Sequence, residues 1–262
     1  MVMVREVRKE LPKAGTPYLY RLLKPRFEQQ GIKIGRDALN ELLREEHMLV
    51  KHKHRRPRTT NSDHFLKRYP NLIKDFEPTR AEQVWVADIT YIRIRTDFAY
   101  LFLITDAYSR KIMGWHIATT MEGQNAIIAL KMALSNRYYP ESRIIHHSDQ
   151  GSQYAYGAYI SILKAANMGI SMASRGKSHE NAIAERVNGI LKVDISCNRV
   201  YDDLQEAESA YKSIIKVYNT QRLHSSCNYL TPEQAHVRNG KLKRHWKSSR
   251  KKFNNQQTNS VA

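Results

Sequence analysis

Three carboxylic acids lie at positions where an acidic side chain is either unexpected or well placed to bind a ligand. Asp88 occupies the middle of WVADITYI, a β-branched and aromatic stretch typical of a strand, and strand interiors disfavour aspartate. Asp149 follows RIIHHS, where an apolar strand pattern gives way to a turn. Glu185 lies in ENAIAERVNGILK, residues 180–192, whose apolar residues recur at helical spacing. If these elements converge, the three carboxylates could bind a divalent cation through oxygen.

Each acid also has an ordinary structural explanation. Asp88 has the opposite parity to Trp85 and Ile89, so it could face solvent on one side of a sheet. Asp149 could be a turn residue or a helix N-cap, and the polar face that carries Glu185 could simply be solvated. The functional interpretation therefore depends on whether the fold brings the three acids together.

The elements that would position these acids follow from the apolar pattern. Three strand-like segments, 83–94, 99–108 and 111–120, are separated by short turns and predict an antiparallel meander. Helix, strand, helix, strand and helix patterns follow in that order, and a last helix covers 204–219. The order β-β-β-α-β-α-β-α predicts an α/β fold with a mixed five-stranded sheet flanked by helices, which is the RNase H-like order.

In this topology the strand of Asp88 is central, and the strand before Asp149 lies beside it. The helix of Glu185 returns over the same end of the sheet, because the 35 intervening residues suffice for a helix, a strand and a loop. Converging carboxylates would repel one another and raise the pKa of at least one, a conflict that a cation removes. Oxygen ligands favour Mg²⁺ or Mn²⁺ over zinc.

Other titratable residues compete with this set. Asp106, in TDAYSRK, is predicted to stabilise a turn, and Glu180 is predicted to interact with the helix dipole. For His146 and His147, strand alternation predicts one side chain in the core and one at the rim of the site. Neither histidine is selected as a general base.

The charge of the chain predicts a polyanionic partner. Among 262 residues, 43 are Lys or Arg and 25 are Asp or Glu, a formal charge of +18. No apolar run approaches the length of a spanning helix and no signal-peptide pattern is present, so nucleic acid is favoured over a membrane. A cytoplasmic, nucleoid-associated location is expected. Cys197 and Cys227 lack a Cys-x-x-Cys spacing, so neither a disulfide framework nor a zinc site is predicted.

Composition divides the chain into four parts. Residues 1–50 predict helices, with Thr16 as an N-cap, and fit either a helix-turn-helix-like DNA-binding module or an ordinary helical hairpin. A basic linker (51–79), the α/β core (80–238) and a basic, disordered tail (239–262) follow. The linker run KHKHRRPR is either solvated or tracks phosphates. Its predicted DNA-binding residues are Lys51, Lys53, Arg55, Arg56 and Arg58.

Several motifs together resemble the DDE transposases of bacterial insertion sequences. WVADITYI, HHSDQGSQY and SHENAIAERVNGILK, with 35 residues between the second Asp and the Glu, are similar to the insertion-sequence-three family, whose catalytic core resembles retroviral integrases. DAYSRKIMGW and YNTQRLHSSCNYLTP extend the resemblance. It implies that Asp88, Asp149 and Glu185 form the catalytic, metal-binding triad and that Lys192 holds DNA. The alternative for Lys192 is a solvated lysine at a helix end.

The function implied by this resemblance is metal-dependent DNA strand cleavage and strand transfer, with two Mg²⁺ or Mn²⁺ ions. The expected partners are the element ends, target DNA, further copies of the chain in a homo-oligomer on DNA, and an upstream-frame product that is fused or bound. Tyr154, Arg222 and His224 are additional candidates for DNA contact. The alternatives are a non-catalytic helix-turn-helix regulator and an RNase H-type nuclease.

Overall fold

The computed structural model describes residues 1–50, 66–95, 97–174 and 178–245. The strands are β1 (Val84–Arg93), β2 (Phe98–Asp106), β3 (Ile112–Ala118), β4 (Ile145–Ser148) and β5 (Gly169–Met172). The α-helices are α1 (Val2–Glu10), α2 (Thr16–Gln29), α3 (Arg36–Glu45), α4 (Gly123–Ser135), α5 (Gly157–Ala165), α6 (Ala182–Gly189), α7 (Leu204–Gln221) and α8 (Pro232–His236).

Within the described residues the strands form a mixed sheet of five, in the order β3-β2-β1-β4-β5. The first three strands are an antiparallel meander, and β4 and β5 run parallel to β1. The predicted α/β architecture is therefore confirmed, with β1 at the centre. The parallel register pairs Ala87 of β1 with Ser148 of β4.

The two faces of the sheet are covered by different helices because side chains of β1 alternate in direction. Trp85 and Ala87 pack with α4 and α5 in one hydrophobic cluster. Val86 and Ile92 point to the other face, where α6, α7 and the N-terminal helices pack. Trp85 is fully buried, and a buried side chain of this size contributes at least roughly 1.5–3 kcal/mol. Both faces thus anchor β1 firmly.

The N-terminal helices share a core with the α/β domain. Leu19, Leu23 and Leu43 belong to the same buried cluster as Tyr211 of α7. The hydroxyl of Tyr18 also donates a hydrogen bond of 2.6 Å to the backbone carbonyl of Gln221. The helical content predicted for residues 1–50 is present, and these helices pack against α7.

The predicted N-cap role of Thr16 is wrong. The N-cap of α2 is Gly15, and Thr16 is the first helical residue. Its hydroxyl instead donates a hydrogen bond of 2.8 Å to Oδ1 of Asn40 in α3. Thr16 therefore links two helices rather than capping one.

Parts of the predicted linker and tail contact the core. The backbone amide of Leu72 donates to Oγ of Ser171 over 2.9 Å, and the hydroxyl of Tyr108 donates to the carbonyl of Gly240 over 2.9 Å. Residues 66–79 and 239–245 are thus attached to the α/β domain. The predicted DNA-binding residues of the linker, Lys51, Lys53, Arg55, Arg56 and Arg58, lie outside the described residues, as does the tail from residue 246. No helix in the described ranges is long and apolar enough to cross a bilayer.

Candidate active site

Asp88 and Asp149 are brought together by the pairing of β1 with β4. Ala87 and Ser148 are partners in the parallel register, so the residue that follows each of them lies at the same end of the pair. The Asp149 charge is the second cause, after burial, of a pKa for Asp88 raised from 3.8 to about 7. Two carboxylates therefore share a crowded, partly dehydrated position at the carboxyl end of β4.

Asp149 is fixed by the turn that follows β4. Its Oδ1 accepts a hydrogen bond of 2.9 Å from the backbone amide of Gly151, as in an Asx-turn. A Cβ added at Gly151 would lie 3.0 Å from that same oxygen. The turn interpretation of Asp149 is thus correct, and the same turn fixes the carboxylate whose charge acts on Asp88.

Asp88 faces a helix rather than open solvent. The side-chain amide of Asn188, in α6, donates a hydrogen bond of 2.7 Å to Oδ2 of Asp88. Asn181 donates a second bond, of 3.0 Å, to the backbone carbonyl of Ala87. Both asparagines are buried, so the solvated-face explanation is wrong for this part of the helix.

Glu185 lies on α6 between those two asparagines and is exposed. Its charge is a minor cause of the raised pKa of Asp88, after the charge of Asp149. The polar face of α6 therefore lies toward β1, and the charge of Glu185, the third carboxylate, acts on Asp88.

The helix of Glu185 is less regular than the sequence pattern predicts. It begins as a 3₁₀ turn at Ser178–Asn181, continues as α6, and widens into a π-helix at Ile190–Ile195. Such π segments are rare and often occur at functional sites. Within it, Nζ of Lys192 donates a hydrogen bond of 3.3 Å to Oγ1 of Thr90 in β1. Lys192 is thus partly buried near Asp88 rather than solvated at a helix end.

The donor set fits a divalent cation bound by oxygen. In the described ranges no three His, Cys, Asp or Glu side chains are close enough to hold a metal ion as they stand. Asp88 and Asp149 nevertheless form a repelling pair that a cation would neutralise. The hydroxyl of Tyr154 is buried without a hydrogen-bond partner among the described residues. Its pKa is raised by burial first and next by the charge of Asp88, so this hydroxyl lies close enough to the pair to feel its charge.

Comparison with known proteins identifies the family. Residues 78–178 match the integrase core domain, and residues 166–232 match a second integrase core domain family. The chain is 36% identical over 217 residues to the insertion element IS600 uncharacterized 31 kDa protein of Shigella sonnei, covering 82% of this chain and 79% of that protein. It is also 34% identical over 169 residues to transposase InsF for insertion sequence IS3A of Escherichia coli K12, covering 64% and 58% of the two chains. The chain belongs to the DDE transposases of the insertion-sequence-three family.

The transposase also resembles a retroviral protein in fold. A chain of the simian T-cell lymphotropic virus intasome in complex with PP2A regulatory subunit B56 gamma superimposes with a TM-score of 0.52. The match covers 72% of the transposase and 66% of that chain at 16% sequence identity. This likeness shows a shared RNase H-like fold.

The histidine pair of β4 is buried on both sides. The hydroxyl of Tyr159 lies 2.8 Å from Nε2 of His146, and Oγ of Ser171 lies 2.8 Å from Nδ1 of His147. Burial is the first cause of their lowered pKa values, about 3 for His146 and about 4 for His147. The prediction that one of them lines the rim of the site is wrong, because both strand faces are covered by protein.

Asp106 has the structural role predicted for it. Its Oδ1 accepts hydrogen bonds from the amide and the hydroxyl of Ser109, and its Oδ2 accepts one from the amide of Glu82. Glu180 lies in the first turn at the helix start, and its Oε2 also accepts hydrogen bonds from the side chain of Asn71 and from the amide of Ser174. It therefore fastens neighbouring segments as well as lying at a helix start.

Sequence reasoning missed the role of Asn188 and misjudged Tyr154. Asn188 shares a helical face with Glu185, which was the available signal, but polarity alone does not reveal a bond to Asp88. Tyr154 is 4% exposed, so it lies beneath the site and out of reach of DNA. Arg222 and His224 lie on the other side of α6, where they line a separate cavity.

Proposed function

We propose that Asp88, Asp149 and Glu185 together bind divalent metal, Mg²⁺ or Mn²⁺, for the DNA strand cleavage and strand transfer of this transposase. The observation that carries the proposal is the position of Asp88 and Asp149 one residue beyond the paired Ala87 and Ser148. Glu185 joins them because Asn181 and Asn188 fasten its helix to β1.

The residues of the site prepare it for a cation. Asn188 holds one oxygen of Asp88 in place, and the amide of Gly151 does the same for Asp149. The two carboxylates repel each other, so binding of a dication is favoured where burial already weakens hydration. Two ions at this site would activate the attacking oxygen and stabilise the leaving oxygen of a phosphodiester. Glu185 would complete the ligand set when DNA and metal are bound.

Lys192 is proposed to hold the DNA strand that reacts. Its ammonium group lies over β1 at Thr90, two residues from Asp88, which is a suitable position for contacting a phosphate beside the scissile bond. A lysine there also offsets part of the negative charge of the triad.

The remaining parts of the chain are proposed to position DNA. We assign the helices of residues 1–50 to a DNA-binding module and the linker residues Lys51, Lys53, Arg55, Arg56 and Arg58 to phosphate contacts. The boundaries 51–79, 80–238 and 239–262 stay a proposal for linker, catalytic core and tail. An assembly of several copies on the element ends, with an upstream-frame product fused or bound, would then bring two ends to one target.

The test separates chemistry from end recognition. A branched DNA that carries the joined product allows the reverse of strand transfer, which needs the core residues and metal but no end-recognition partner. We expect conversion in Mg²⁺ by the wild-type chain and a loss of roughly a thousandfold in Asp149→Asn, since a metal contributes several kcal/mol. Asp97→Asn, at an exposed aspartate of the β1–β2 turn, is the matched control.

The same assay distinguishes the two alternative functions. A DNA-binding regulator would bind the branched DNA without converting it. When an RNA–DNA hybrid is supplied as a second substrate, an RNase H-type nuclease would cut the hybrid in preference to the branched DNA. Equal conversion by the wild type and Asp149→Asn would contradict the triad assignment itself.

A further inference from the structure

A second cavity opens on the side of α6 that faces away from Asp88. Its volume is about 630 Å³, within the range of pockets that enclose small ligands. Ile183, Arg186 and Val187 of α6 line it. The opposite side of the same helix carries Asn181 and Asn188, which bind β1. The cavity is therefore separate from the aspartate pair.

Three arginines from three different elements line this cavity. Arg110 follows β2, Arg186 lies on α6, and Arg222 follows α7. Among the described residues that line the cavity none is acidic. Asp194 does not line the cavity, but its Oδ2 forms ion pairs with Nη2 of Arg186 at 3.5 Å and with Nη2 of Arg222 at 3.8 Å. One negative charge is therefore shared between two positive ones. The cavity retains a net positive charge.

The pKa of His224 is lowered in part by the charges of these three arginines. His224 is 8% exposed and lines the cavity. Its pKa lies well below the ordinary value, with burial as the first cause and the charges of Arg222, Arg110 and Arg186 as the next ones. His224 is therefore neutral near pH 7, and the three guanidinium groups carry the charge.

The rest of the lining is apolar and aromatic. Pro17, Tyr18, Val187, Ile190, Leu223 and Tyr229 contribute to it. The guanidinium of Arg21 lies over the ring of Tyr229, with its central carbon 3.7 Å from the ring centroid. A ligand with an anionic group and a flat, weakly polar body would match both parts of this cavity.

The charge of the chain limits what can occupy the cavity. In the sequence, the stretches 51–58 and 241–252 are both strongly basic, so neither has the charge that complements a cavity lined by arginines. A DNA duplex matches the charge, but its bases are stacked and paired, and a base can enter a cavity of about 630 Å³ only after unpairing. A nucleotide that is already unpaired meets both requirements.

We propose that this cavity binds one unpaired nucleotide of a DNA strand. The phosphate lies among Arg110, Arg186 and Arg222, and the base packs against the apolar and aromatic lining that includes Tyr229. Bases stack on aromatic side chains with little dependence on sequence, so the pocket selects unpaired DNA rather than a particular base. The assignment of the metal-binding triad plays no part in this argument.

The test measures binding of a fluorescently labelled oligothymidine to the full chain, in EDTA so that no chemistry occurs. Arg186→Ala removes a guanidinium whose side chain is 65% exposed, so folding is preserved. We expect about tenfold weaker binding and a salt dependence reduced by about one counterion. Arg143→Ala, at an exposed arginine outside the cavity, is the control and should change affinity less than about twofold.

A second variant tests the aromatic wall without changing charge. Tyr229 has a φ of 57°, which asparagine tolerates, so Tyr229→Asn removes the ring with little backbone cost. We expect about tenfold weaker binding at an unchanged salt dependence. A blunt duplex should be bound equally by wild type and Tyr229→Asn.

Three outcomes would overturn the proposal. The first is that Arg186→Ala loses no more affinity than Arg143→Ala. The second is that Tyr229→Asn binds oligothymidine like the wild type. The third is that both variants lose as much affinity for blunt duplex as for single strand, which indicates a general phosphate surface. Binding is measured in EDTA and needs no metal, so a failure of the triad assignment stays distinguishable from a failure of this proposal.

Discussion

Oδ2 of Asp88 accepts a hydrogen bond of 2.7 Å from the side-chain amide of Asn188, which ties the central strand to the helix that carries Glu185. Because Asn188 and Glu185 lie one turn apart on α6, this bond fixes where the third carboxylate can reach. It also favours the charged form of Asp88, which burial and the charge of Asp149 disfavour.

We expect Asn188→Ala to shift the pH dependence of DNA cleavage. The bond from Asn188 lowers the pKa of Asp88, so its loss leaves Asp88 protonated to a higher pH. A hydrogen bond to a charged group is worth about 1.5–3 kcal/mol, so the acidic limb of a pH–rate profile should move up by about one to two units. Asn125→Ala, at a half-buried asparagine on α4, should leave the profile unchanged. An unshifted limb in Asn188→Ala would show that this bond does not tune the site.

Asp88 should destabilise the metal-free protein above neutral pH. Its pKa is raised from 3.8 to about 7, so the folded state holds the proton more tightly than the unfolded chain does. The free energy of unfolding therefore falls as pH rises from about 4 to about 7, by on the order of 4 kcal/mol at most. Asp88→Asn should remove this dependence and raise the melting temperature at pH 8 in EDTA. If the wild type is the more stable of the two at pH 8, the raised pKa is refuted.

We expect Gly151→Ala to impair catalysis while leaving the fold intact. The added methyl group would lie 3.0 Å from Oδ1 of Asp149 and from Oε1 of Gln153, so the carboxylate must shift by a few tenths of an ångström. Misplacement of a reacting group costs about ten- to a hundredfold in rate. Gly157→Ala is a matched control, because no atom lies within 4 Å of its added Cβ. Strand-transfer rates of the two variants, compared with their melting temperatures, check this expectation.

A buried network around His236 should stabilise the fold without catalysing a reaction. Oγ of Ser109 lies 2.9 Å from Nδ1 of His236, and Nε2 of His236 lies 3.3 Å from Oε1 of Glu82. The order serine, histidine, carboxylate resembles a hydrolase triad, but all three residues are at most 1% exposed. His236→Ala should lower the free energy of unfolding by about 2–4 kcal/mol in urea, because it leaves Glu82 with fewer partners. His47→Ala, at an exposed position, should cost far less, and labelling of Ser109 by a serine-directed reagent would contradict the structural role.

The sequence predicted the sheet because each strand has a strong local pattern. β1, β2 and β3 are long and rich in β-branched and aromatic residues, and β4 and β5 alternate with helices at lengths that require parallel pairing. Asp88 could be recognised because an aspartate in the middle of such a strand conflicts with its surroundings. These features are local, and a single sequence contains them.

The parts that the sequence did not predict depend on tertiary contacts. The bond of Asn188 to Asp88 joins residues that are 100 positions apart, and helical periodicity only assigned Asn188 to a polar face. The burial of both His146 and His147 likewise depends on the elements that cover the sheet, and the π-helix at Ile190–Ile195 departs from the regular helical spacing that the sequence predicts. Short element α8 (Pro232–His236) was missed because five residues are too few for a periodic signal.

The most direct test of metal binding by the triad is a change of ligand at Asp149. Asp149→Cys replaces a carboxylate by a thiolate, a soft ligand that Mg²⁺ does not accept and that Mn²⁺ tolerates better. We expect strand transfer by Asp149→Cys to be lost in Mg²⁺ and restored in part by Mn²⁺, whereas the control Asp97→Cys should be active in both. Equal relative activity of Asp149→Cys in the two metals would contradict the assignment of Asp149 as a metal ligand.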